Sequence, residues 1–542
     1  MATPSAPVAT EIPQKRVAVV GSGLAGLSVA YLLASNGFVV HIYEKGPRLG
    51  LAAASIIVRV PAENAGQDRN GHIGEEDLIM DVPMRSFFPE HYSYLTALYK
   101  HLHIPYHTSD NSISFSEYRS ADLFGVDGRS PWRALKTVAG YLKFLAIVQY
   151  LSLTGKIRSE LEGLTLDDFW VRYGISREYV EGAFIPLFCG VCTCESDTLG
   201  QFPAVTILEY VSRAMPFGRM SFVTPGVESV CEALTQPVQQ VYLRTAVAGI
   251  YQSSSSPSLE KQNRFPTPPP DDTLTTTGTG KVTVETTEGI RRRYDHVVFA
   301  TQANQAARIL KGTAGVPLDG DAKITADQIR LLERFQYAKS IVTCHTDASL
   351  MPQNESMWRC MNFFTHTGID DATSTDADST STDNSADFQF PYATHKTPTC
   401  THYFNMSHNT RKPIKGTDYF QTTNPYRMPA PDKTIATTWF ERAVVTLDSA
   451  KAVDDLSALQ GLGRRWFVGS WAWEGIPLLE GCVASAVEVA KGIAEQEGVD
   501  GFYVPWNVPA DSVGKQGLFS GYWILWTLLA VACAAYLASV II

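Results

Sequence analysis

The feature that most constrains this chain is a glycine-rich turn, Gly21-Ser22-Gly23-Leu24-Ala25-Gly26, set between an apolar strand and a helix. Arg16–Val20 reads as a short buried strand. Leu24 to Ser35 reads as a helix closed by Asn36-Gly37, and Phe38–Tyr43 reads as the next strand, ending at Glu44. Each glycine has a separate physical task. Gly21 permits the tight turn, Gly23 lets backbone amides approach a pyrophosphate, and Gly26 lets the helix pack on the strand. The helix N-terminus adds partial positive charge for the phosphates. Glu44 lies 18 residues beyond Gly26, placed to accept hydrogen bonds from ribose hydroxyls. The unit therefore predicts an α/β chain with a Rossmann-type dinucleotide site.

Beyond Glu44 the sequence runs Lys45-Gly46-Pro47-Arg48-Leu49-Gly50. This resembles the E-x-x-x-R-x-G-G stretch of the flavoprotein superfamily that contains amine oxidases and phytoene-type desaturases. Leu51 stands where the second glycine is usual. Three later segments extend the resemblance. Thr245-Ala246-Val247 resembles the strand that packs on the adenine, and Tyr294–Thr301 the strand that returns to the FAD domain. Trp466–Trp471 and Leu479–Ala486 resemble the family's C-terminal FAD motif, whose helix points its N-terminus at the pyrimidine end of the flavin. The similarity spans about residues 15–495. It implies a GR2-like FAD-binding domain with an interleaved α+β substrate domain. It also implies FAD held by Gly21, Ser22, Gly23, Leu24, Ala25, Gly26, Glu44, Lys45, Arg48, Gly50, Val247, Ala300, Thr301, Gly469, Ser470, Glu480 and Gly481.

A narrower subgroup of NAD/FAD-binding amine-oxidase-like proteins carries segments similar to Asp81–Pro105, Gly163–Trp170 and Tyr294–Leu310. Some members are linked to modification of fatty acyl chains, so the resemblance implies a lipid-like substrate. Pro83-Met84 replaces that subgroup's usual Gly-Phe pair. Flavin chemistry asks the protein mainly for position and electrostatics, because N5 of the ring accepts the hydride. The expectation is an enzyme that oxidises or desaturates an apolar substrate, with Trp471, Trp473 and Glu474 as flavin-facing candidates. The electron acceptor is left open. Two other readings stand beside it. One is amine oxidation with release of hydrogen peroxide, with Tyr403 or Tyr419 pairing with Trp471 and Trp473 as aromatic walls. The other is an inactive flavin-binding scaffold.

In monoamine oxidases the flavin-linking cysteine lies upstream of the position matching Cys482, so FAD is expected to be noncovalent. The chain has nine cysteines in all, and Cys189, Cys192 and Cys194 match no zinc spacing. No metal site is expected. A formal net charge of −10 without a basic run argues against a nucleic-acid partner.

The domain reading follows from these motifs. Residues 16–85, 226–312 and 441–495 form the FAD-binding domain, and 86–225 and 313–440 the substrate domain. Residues 1–15 and the insertions 253–280 and 367–399 are too polar to fold alone and are expected to be disordered. A linker, 496–517, leads to Leu518–Ile542, which holds no charged residue. As a helix that stretch spans roughly 37 Å, enough for a bilayer core. A tail-anchored protein of the endoplasmic reticulum, with its catalytic domain in the cytosol, is the resulting expectation.

Overall fold

The computed structural model describes residues 15–61, 75–119, 122–124, 131–214, 219–252, 282–313, 322–367, 397–407 and 417–506. Its organising element is a parallel sheet of five strands: β1 (Arg16–Val20), β2 (Val39–Tyr43), β3 (Gln240–Tyr242), β4 (His296–Phe299) and β5 (Arg465–Phe467). Their spatial order is β5-β4-β1-β2-β3, and every pairing is parallel. β1 and β4 are almost wholly buried apolar runs, as strands covered on both faces require.

Helix α1 (Leu24–Ser35) connects β1 to β2 and buries nine of its twelve residues. It packs against α4 (Leu479–Gln496), so the first and last parts of the described chain share one core. A three-stranded sheet, from Val247–Gln252, Val282–Thr286 and Arg291–Tyr294, covers another side. The α/β Rossmann-like fold expected from the glycine turn is thus present.

Two further bodies make up much of the rest of the described chain. One is a seven-stranded mixed sheet running from Thr434–Val444 and Gln336–His345 to Ile113–Arg119 and Asp122–Phe124. The other is helical, built around α3 (Pro131–Leu153) and the helices between residues 157 and 214, with its own aromatic core of Phe144, Phe169, Phe184 and Phe188. Helix α2 (Ser93–His101) packs in the Rossmann core against α4.

Two expectations need correction. Val241–Ile250 reads in the sequence as one strand, and it is not one. Arg244 takes a left-handed φ of 53°, which breaks the segment into β3 and Val247–Gln252. The tail-anchored, endoplasmic-reticulum placement also fails: among the described residues no helix is long and apolar enough to cross a membrane. The longest, α3, carries Arg133, Lys136 and Lys143 in its sequence. Residues 518–542 and the insertion 253–280 lie outside the described residues, as does the expected insertion 367–399 except for Thr367 and residues 397–399.

Candidate cofactor and substrate site

The C-terminal ends of the parallel strands gather glycines. Gly21 has φ +104°, and a Cβ there would lie 2.7 Å from the Ala300 carbonyl oxygen. A Cβ on Gly26 would lie 2.1 Å from the Gly21 carbonyl oxygen. Neither position accepts a side chain without moving backbone. Gly23, by contrast, has nothing within 4 Å of its would-be Cβ, so open space lies beside it. Gly23 is also the N-cap of α1, and no side chain caps that end. First-turn amides therefore face the open space without a side-chain acceptor. These features fit a dinucleotide pyrophosphate.

Glu44 follows β2 and is buried. Its carboxylate accepts from the Ser22 amide at 3.1 Å, the Ser22 hydroxyl at 2.5 Å and the Gly46 amide at 2.7 Å. A carboxylate has about four acceptor positions, so roughly one remains for a ribose hydroxyl. Ser22 Oγ in turn accepts from the Gly50 amide, and the Leu51 amide donates to the Ser22 carbonyl. This double stitch explains how Leu51 occupies the usual glycine position: its side chain is buried beside α1 and its φ is not left-handed.

The other predicted contacts divide. The Thr245 amide donates to the Glu44 carbonyl, setting Val247 close behind. The Ala300 amide donates to the Val20 carbonyl, fixing Thr301 beside the glycine turn. Lys45 is exposed, and Arg48 reaches the Ser55 carbonyl and Glu228. Gly469 donates its amide to Ser485 Oγ, which holds the end of β5 against α4. Ser470 follows, and its carbonyl lies 3.2 Å from the would-be Cβ of Gly481. The Glu480 carboxylate caps α2, accepting from the amides of Tyr94 and Leu95 and the Ser93 hydroxyl. Burial raises its pKa, and those three donors oppose the shift.

The flavin-facing candidates also divide. Trp471 is a core residue: its ring packs on Phe335 and its Nε1 donates to the Thr301 carbonyl. Glu474 is more than half exposed and pairs with Arg158 at 2.8 Å. Trp471 is thus engaged in the core, whereas Glu474 lines a cleft together with Trp473, Glu480 and Gly481. Trp473 remains partly buried, edge-on to Tyr94 and close to Gly481. Tyr403 is tied to Asp418, and Tyr419 is buried in the mixed-sheet core.

Sequence reasoning missed a cavity lined by the helical body and the seven-stranded sheet. It has a volume of about 260 Å³ and a mostly apolar wall that includes Met84, Phe88, Leu187, Met361, Phe363 and Phe440. Leu478, the residue before α4, closes one side, so the cavity abuts the Glu480-Gly481 corner. Its polar groups include His402, Gln421 and Arg442. The wall comes from segments that are hundreds of residues apart, which no local pattern reveals. The one available signal was Arg442 itself, a charge inside an otherwise apolar strand end, Glu441-Arg442-Ala443-Val444.

Cys482 lies in the first turn of α4, and burial pushes its thiol pKa up. Cys189, Cys192 and Cys194 are all buried, and burial together with their mutual contacts raises Cys192 and Cys194 well above the usual thiol range. Among the described residues no group of three or more His, Cys, Asp or Glu is placed to hold a metal ion.

Comparison with known proteins places this geometry in context. Residues 19–102 match the NAD(P)-binding Rossmann-like domain family. No curated protein matches the chain by sequence. Solved structures do match by fold. An oxidoreductase from Methanosarcina mazei superposes with a TM-score of 0.52 at 11% identity, covering 88% of this chain and 100% of that one. Wild-type putrescine oxidase bound to putrescine gives 0.51 at 13% identity, covering 89% and 99%. Cyclohexylamine oxidase from Brevibacterium oxydans gives 0.50 at 12% identity, with the same coverage. At such identities the likeness is one of fold, and it extends well beyond the Rossmann part. The resemblance to the amine oxidase superfamily drawn from the motifs therefore holds for the fold.

Proposed function

We propose that this chain is an FAD-dependent oxidoreductase that oxidises or desaturates an apolar, lipid-like substrate. The observation that carries the reading is the apolar 260 Å³ cavity whose wall reaches Leu478, the residue before α4. Bound FAD would supply a hydride acceptor. Gly21 and Gly26 let the turn close tightly, Gly23 leaves room beside the uncapped N-terminus of α1 for its pyrophosphate, and Glu44 retains an acceptor for its ribose. The N-terminus of α4, at Glu480-Gly481, supplies partial positive charge toward the ring. The cavity wall orients the apolar substrate and excludes water.

Cys482, held as a thiol by burial, is a poor nucleophile, which supports noncovalent FAD. Acid precipitation checks this: the colour should leave the pellet. The reaction itself is tested by mixing the oxidised holoprotein anaerobically with acyl and isoprenoid lipids. Bleaching of the flavin is expected, and no bleaching with any of them would sink the lipid reading. A second reading, amine oxidation, rests on the shared fold of putrescine and cyclohexylamine oxidases. It predicts hydrogen peroxide on addition of amines under air.

A further inference from the structure

Arg442 sits near the end of the strand Thr434–Val444 and lines the apolar cavity. One of its donors, Nη1, is taken by the Val191 carbonyl at 2.5 Å. Its sequence neighbour Glu441 points to the other face of the strand, where it accepts from Asn304 and approaches Lys339. A second guanidinium, Arg85, lies close enough for the two charges to repel. Residues on either side of it, Met84 and Ser86, line the same cavity. Arg85 Nε is buried without a hydrogen-bond partner. Its pKa is lowered by burial first and by Arg442 second.

Asp81 is the carboxylate that acts on Arg85, yet it forms no close pair with it. Its oxygens accept from the Ser55 hydroxyl and the Val227 amide, and burial raises its pKa. Among the described residues neither arginine has a carboxylate within ion-pairing distance. Two neighbouring, partly buried guanidinium groups with no ion-paired carboxylate are costly unless a ligand supplies one.

We propose that the cavity takes an apolar molecule ending in a carboxylate, with that group seated on the Arg442 fork beside Arg85. The planar guanidinium matches a carboxylate in two parallel hydrogen bonds. The remaining wall, from Phe88, Leu187 and Phe363, takes the hydrocarbon body. The same charges repel an alkylammonium, so the proposal separates an acidic lipid-like substrate from an amine. It deepens the function proposed above and rests on that reading for the identity of the reaction, but not for the binding of the acid.

The test titrates the full-length purified protein with decanoate, decan-1-ol and decylamine near neutral pH. Binding is followed by calorimetry, and the flavin absorbance of the same preparation is recorded beside it. Decanoate should bind at least about tenfold tighter than either of the other two. Arg442→Gln should weaken decanoate about tenfold or more and leave decan-1-ol unchanged, while Arg442→Lys should recover part of the loss. Equal affinity for all three probes in the unaltered protein overturns the proposal without relying on any variant. So does an Arg442→Gln protein that folds and binds decanoate as before. A colourless preparation that still prefers decanoate would instead overturn the FAD reading and leave the carboxylate site standing.

Discussion

The two ends of the five-stranded parallel sheet are built on opposite principles. At the N-terminal end, charges are gathered and saturated. The Glu497 side chain, only 5% exposed, pairs with Lys15 at 2.6 Å, Arg464 at 2.7 Å and His296 at 2.8 Å. Trp466 Nε1 donates to His296 Nδ1, which leaves Nε2 to carry the proton toward Glu497. This cluster ties residues beside β1, β4 and β5 to the end of α4. At the C-terminal end the sheet carries glycines, an uncapped helix N-terminus and open space beside Gly23. One end is saturated within the chain, and the other keeps open space and an uncapped helix end. That polarity is the general rule for open α/β sheets, whose ligands bind beyond the carboxyl ends of the strands.

Substitutions should separate the two ends. The largest effect is expected from Gly26→Val. Its Cβ meets backbone at 2.1 Å, so the helix must move, costing ~3 kcal/mol or more and abolishing flavin retention. Thermal unfolding and the absorbance spectrum read both. Gly23→Ala is the sharper companion, because its Cβ enters open space. Stability should stay within about 0.5 kcal/mol while FAD binding weakens at least about tenfold. Equal loss of stability in the two variants would break the comparison.

At the opposite end, Glu497→Gln should cost ~3 kcal/mol and leave FAD affinity unchanged, since Lys15 and Arg464 lose their shared anion and the neutral His296 loses its charged acceptor. Burial alone would raise the Glu497 pKa, but the hydrogen bonds from Lys15, Arg464 and His296 outweigh it and hold the group at about 2. Its folded value is thus below the ordinary 4.5. The stabilisation is complete above about pH 4.5 and disappears as the pH falls through about 2. Urea unfolding across that window should show a slope that Glu497→Gln lacks. The smallest effect is expected from Glu474→Ala. An exposed pair with Arg158 contributes under about 1 kcal/mol, and the flavin spectrum should not change.

Much of the ligand end was legible in the sequence because its signals are local. Gly21, Gly23, Gly26 and Glu44 lie within one β-α-β unit, where strand, turn and helix periods agree. Leu51 departed from the motif, yet its backbone is stitched to Ser22, an interaction independent of its side chain. The surroundings of Trp471 and Glu474 were not legible, because aromatic or acidic character says nothing about which neighbour claims the side chain. Phe335 and Thr301 claim one, and Arg158 the other. The Glu497 cluster and the Arg442 cavity join residues far apart in sequence, so they exist only once the chain is folded.

The central claim is that the glycine-lined end holds FAD. Calorimetric titration of flavin-stripped protein with FAD, with NADH and NADPH run in parallel, tests it most directly. One tightly bound FAD per chain, with neither pyridine nucleotide competing, is the predicted result. Binding of NADH or NADPH in place of FAD at the Gly21–Gly26 turn would contradict it.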